Sequence, residues 1–150
     1  MKINVIHQVH FSEKVNIKQV KYIKESLYKL RDSGEISFTD IWLGKQFSPA
    51  AKDGRYGGII ENKAEHEGEI CLIISFKDES EVIDYLENKK HADLRKELYS
   101  SFSPKIGNLY EEATRLSILG EDVSKLFKEI ESLAKPFFRR RQYVRYSEDC

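Results

Sequence analysis

The chain has 150 residues, 40% of them hydrophobic and 33% charged, which is ordinary material for one globular domain and excludes a disordered or low-complexity chain. Lys and Arg number 25 and so do Asp and Glu, so the basic excess of a dedicated nucleic-acid binder is missing. No apolar run approaches the ~18 residues that span a bilayer, and the N-terminus enters an alternating pattern with no secretory signal, so a reducing, cytoplasmic setting is expected.

Residues 3–11 alternate, with Ile3, Val5, His7, Val9 and Phe11 on one face and Asn4, Ile6, Gln8 and His10 on the other, which predicts a strand. Asn16 can cap the helix that follows, Gln19 completes a capping-box pattern, and Ile17, Val20, Ile23, Leu27 and Leu30 make its apolar stripe up to Gly34. Ile36, Phe38, Asp40 and Trp42 alternate with Ser37, Thr39 and Ile41 as a second strand. Residues 44–69 hold Pro49, Gly54, Gly57, Gly58 and an acidic end, and read as one long loop with a short hairpin near 56–60. Loops of that length inside a domain are more often functional than idle.

Ile70–Phe76 is the most hydrophobic run and predicts a buried central strand. Asp78 with Glu81 caps a helix expected to turn Val82, Ile83 and Leu86 inward, and Lys89–Lys90 bends it before helical spacing resumes over 92–102. Past Pro104 and Gly107, residues 108–134 predict further helix, divided at Gly120, and 137–146 alternate as a last strand after Pro136. The resulting order, β-α-β-β-α-(extra helices)-β, is that of a single-domain α+β protein with a ferredoxin-like split βαβ and an antiparallel sheet covered by helices on one face only. The open face needs burial, and a second copy of the sheet is the simplest cover, so a homodimer is expected.

Three stretches resemble the stress-responsive A/B barrel branch of the dimeric α+β barrel proteins. They are Phe11-Ser12-Glu13-Lys14-Val15, Trp42-Leu43-Gly44-Lys45, and Phe76-Lys77-Asp78-Glu79-Ser80 followed by Tyr85 and then His91. The likeness covers residues 1–103; Lys89 stands where the family's pattern has a proline, and the helices of 108–134 have no counterpart in it. The resemblance implies a dimeric α+β barrel in which His91 is the general acid and base and Tyr85 its partner, acting on a carbonyl compound without metal or cofactor.

On a regular helix, six residues place Tyr85 and His91 about 240° apart, so they can meet only if the chain bends at 88–90. The plain alternative is that His91 packs the bend and Tyr85 fills core. Tyr22 and Trp42 are candidate lining residues for a pocket between sheet and helices, and His7 a further substrate contact. His7 and His10 lie on opposite faces of one strand and cannot share a metal, and no His or Cys spacing demands a metal or haem. Arg139, Arg140 and Arg141, interleaved with aromatics, read as a charged edge strand in preference to a nucleic-acid patch. The leading expectation is a homodimer that binds a small, largely apolar molecule, with acid–base chemistry on it. Its rivals are a non-enzymatic assembly module, a haem-handling relative in which His7 or His91 faces the cavity, and an RNA-binding domain.

Overall fold

The alternation of β-branched and polar residues that begins the chain leaves one apolar row and one mixed row, and among the described residues the helices cover the apolar row. The computed structural model describes residues 4–45 and 69–145. Among them are four strands, β1 (Val5–Phe11), β2 (Asp40–Lys45), β3 (Ile70–Phe76) and β4 (Phe138–Val144). Five helices accompany them, α1 (Ile17–Asp32), α2 (Glu79–Glu87), α3 (Lys89–Phe102), α4 (Pro104–Ile118) and α5 (Ser124–Ala134). The strands form one antiparallel α+β sheet in the order β2-β3-β1-β4. The hairpin expected near 56–60, with Phe47, Tyr56 and His66, lies outside the described residues.

The inner face carries Val5, Val9 and Phe11 from β1 and Ile70, Leu72, Ile74 and Phe76 from β3, all buried. Full burial of each large apolar side chain contributes about 1.5–3 kcal/mol, so this row anchors the core. Val20, Ile23 and Leu27 of α1 pack on it. Asn16 starts α1 by accepting from Lys18 N at 2.8 Å, and Gly34 follows the helix at φ 81°. The added helices extend the same core. Ile106, Tyr110 and Ala113 of α4 and Ile130 and Ala134 of α5 are buried in it, and Tyr99, Phe102 and Phe11 surround Phe138 of β4.

Two expectations about facing are corrected. The second strand begins at Asp40, not Ile36, and its apolar phase changes on entry: Ile36 and Phe38 are buried, then Ile41 is buried while Trp42 is 55% exposed. Thr39 N–H donates to the Ser75 carbonyl at 2.7 Å although Asp40 is the residue in register with Ser75. Two residues thus oppose one, the count of a β-bulge, and every later side chain switches face. In α2 it is Val82 and Tyr85 that point inward, while Ile83 and Leu86 are exposed. The Tyr85 ring packs edge-on against Phe76 with centroids 5.1 Å apart, and that contact sets the helix's rotation.

Pro104 does not break helix; it opens α4, where its missing N–H costs nothing, and Ser103 caps the turn. Gly107 lies inside α4 against α3, where an added Cβ would sit 2.9 Å from Ser100 Cα. Gly107→Ala should therefore push the two helices apart and cost about 1–3 kcal/mol, read as a lower urea midpoint at unchanged slope. A midpoint equal to wild type would show that the α3–α4 contact yields freely.

Candidate active site

The break between α2 and α3 is built by one residue. Asn88 has ψ 129°, ends α2, and caps α3 by accepting from His91 N at 2.9 Å. Its side-chain N–H donates to the Glu35 carbonyl at 3.1 Å, which pins the break to the segment after α1. Lys90 Nζ adds an ion pair to Glu35 at 2.9 Å. With the helix axis interrupted here, Tyr85 and His91 stack with ring centroids 3.8 Å apart and 35° between planes. The bend that their meeting requires is present.

His7 joins them from β1, its ring 6.1 Å from that of Tyr85. The three line a cavity of about 50 Å³ between the sheet and helices α1 and α3, walled mostly by aliphatic and aromatic side chains such as Val9, Phe11, Leu72 and Leu98. That is room for a handful of water-sized groups. Arg95 and Arg140 complete the wall on one side. Arg95, Phe138 and Arg140 also border a groove of about 760 Å³ outside, shared with Lys135 and Glu131, so the cavity ends at an electropositive mouth.

Arg95 Nη2 lies 3.4 Å from His91 Nδ1. A guanidinium only donates, so Nδ1 is the acceptor and His91 is neutral with its proton on Nε2. Burial, then Arg95, His7 and Arg140, hold the His91 pKa down at about 3, with a backbone hydrogen bond at Tyr85 acting in the opposite direction. Burial, then Arg140 and Arg95, lower His7 to about 4, and burial pushes the Tyr85 phenol up to about 12. At neutral pH the cleft therefore presents two neutral imidazoles and a phenol in the field of two guanidinium groups. His7 Nδ1 is buried and has no hydrogen-bond partner among the described residues.

Of the residues expected to line the pocket, His91, Tyr85 and His7 come together and Tyr22 and Trp42 do not. Tyr22 is 46% exposed, its hydroxyl donating to Glu97 at 2.9 Å, and Trp42 stands on the opposite face of the sheet. His10 is on that face too, 2.6 Å from Gln8 Nε2. Arg95 and Arg140 were not anticipated. The signals were available: Arg95 follows His91 by one helical turn, and Arg140 shares the parity of Phe138, so both belong on inward faces. Among the described residues no His, Cys, Asp and Glu group is arranged to hold a metal ion. Comparison with family models, with curated proteins and with solved structures returns no match, so the site stands on its own chemistry.

Both histidines bind protons in the unfolded chain near pH 6.5 and resist them when folded down to about 4 and 3. As pH falls below about 6.5 the unfolded state gains protons that the folded state refuses, so stability should fall by up to about 1.4 kcal/mol per pH unit for each histidine. The loss levels off below the folded values. Urea unfolding between about pH 7 and pH 5, above most carboxylate titration, reads it directly. His7→Leu should reduce this slope by about half and raise stability at pH 7 by about 1 kcal/mol, because it removes an unpaired buried nitrogen. An unchanged slope would show that His7 takes up its proton at the same pH in the folded and unfolded chains.

Proposed function

We propose that this chain binds a small, largely apolar molecule in the cleft between sheet and helices, with His91, Tyr85 and His7 as its polar contacts. The observation that carries the reading is the convergence of these three buried polar rings on one apolar-walled cavity, with a nitrogen of His7 left unpaired. Buried polar groups are ordinarily satisfied, and polar rings that converge on an apolar cavity mark where an occupant bonds. His7 and His91 both face the cavity, as a haem-handling relative would need, but about 50 Å³ is far below the ~300–1,000 Å³ of sites that enclose large ligands. A short molecule, or the tip of a longer one, fits.

Acid–base chemistry on the bound molecule is the second reading, favoured by the 3.8 Å approach of Tyr85 and His91. A general base works best with a pKa near the operating pH. His91 is held well below that, at about 3, chiefly by burial and then by the Arg95 charge, so binding ranks ahead of catalysis here.

A ferredoxin-like split βαβ is the fold reading that accompanies this. The antiparallel order β2-β3-β1-β4, with α1 leading from β1 to β2 past the strand between them, supports it. So does the resemblance of residues 1–103 to the stress-responsive A/B barrels. A homodimer through the open sheet face belongs to the same reading, supported by Ile6, Trp42 and Tyr143, which stand exposed on that face.

Butan-1-ol is a suitable probe of the cavity. It should shift the Tyr85, His91 and Leu98 resonances saturably in NMR titration, and Leu98→Phe, which fills the space, should abolish the shifts while the protein stays folded. No saturable shift in wild type would end the ligand reading. Light scattering at micromolar concentration should give the mass of two protomers, and Ile6→Lys should give one. A wild-type mass of one protomer would remove the dimer.

A further inference from the structure

Resting on the reading of the cavity as a ligand site, the geometry points to a monocarboxylic acid as its ligand: the carboxylate sits in the neck between Arg95 and Arg140, and a short apolar tail lies inward beside His91 and Tyr85. Four observations carry this. Arg95 and Arg140 are the charged residues that line both the inner cavity and the outer groove, so they mark the passage between them. Arg95 has no carboxylate within ion-pair reach among the described residues; its guanidinium rests on the neutral His91 ring. Arg140 pairs with Glu131 at 2.9 Å, while Lys135, Arg139 and Arg141 line the groove outside, so the mouth as a whole is positive and favours an anion.

The fourth observation is the make-up of the inner wall, where Val9, Leu27, Leu72 and Leu98 surround the His91 and Tyr85 rings. The apolar wall then accepts the tail and rejects a second charged group, since an ion without a partner there is heavily penalised. Arg139 lines the outer groove but not the inner cavity, and it pairs with Glu69 at 3.9 Å. The planar, five-donor fork of arginine matches a carboxylate, which a point charge would not.

The test compares butyrate, butan-1-ol and butylamine on the full chain at pH 7 by calorimetry and NMR. Butyrate should bind at least about tenfold tighter than butan-1-ol, the margin expected of a charge-assisted contact, and butylamine weakest. Arg95→Gln and Arg140→Gln should each reduce the ratio of butyrate to butan-1-ol affinity severalfold. Arg95→Lys should keep part of the margin. If butyrate binds no tighter than butan-1-ol, the carboxylate assignment is wrong and the apolar ligand reading stands. If both glutamine variants bind butyrate like wild type, or inorganic phosphate displaces it at equal concentration, the anion sits on the outer arginines and the assignment fails. If none of the three binds, both readings fail.

Discussion

A helix cannot bring together side chains six positions apart, and the cleft of this protein depends on how that rule is broken. Asn88 leaves helical geometry with its backbone while its side chain restarts the next helix, accepting from His91 N. The same side chain donates to Glu35, so the direction of the second helix is tied to the far end of α1. Tyr85 is held by Phe76 on one side of the break and His91 by the cap on the other. The stacked rings, the cavity beside them and the placement of Arg95 one turn later all follow from that junction. A more regular sequence here would have kept the apolar core and lost the site.

The electrostatics of the cleft oppose simple catalysis. Burial alone disfavours an imidazolium, and two guanidinium groups add to the penalty, so both histidines are poor bases as they stand. Negative charge brought beside Arg95 and Arg140 would remove their share of that penalty and leave the share due to burial.

Where local pattern decides structure, it could be read ahead of the fold. β1 shows its alternation without interruption, Asn16 and Asp78 announce their helices, and the apolar run of β3 lies between two neighbours as its composition demands. The errors arose where geometry depends on something non-local. Trp42 at the end of its strand reads as pocket lining, and the irregular entry at Thr39–Asp40, visible only against Ser75 across the sheet, turns it to the other face. Ile83 and Leu86 are as apolar as Val82, and only the ring of Phe76 decides which pair turns inward. Tyr85 with His91 was legible as a conditional, since the bend was marked by Asn88. The arginines were legible in principle but were read as a charged run, so the inward parity of Arg140 within it was missed.

Trp42, the single tryptophan of the chain, lies across Gly44, where a Cβ would come 2.7 Å from its Cζ2. The glycine is a bare platform and the indole its cover. Because the ring sits on the outer surface of the sheet with the strand backbone between it and the cavity, tryptophan emission reports on whatever approaches that side, while Tyr85 and Tyr99 emit from the cavity side. The chain thus carries a built-in optical reporter for one of its two faces, and emission changes in a mixture can be assigned to a surface before any label is introduced.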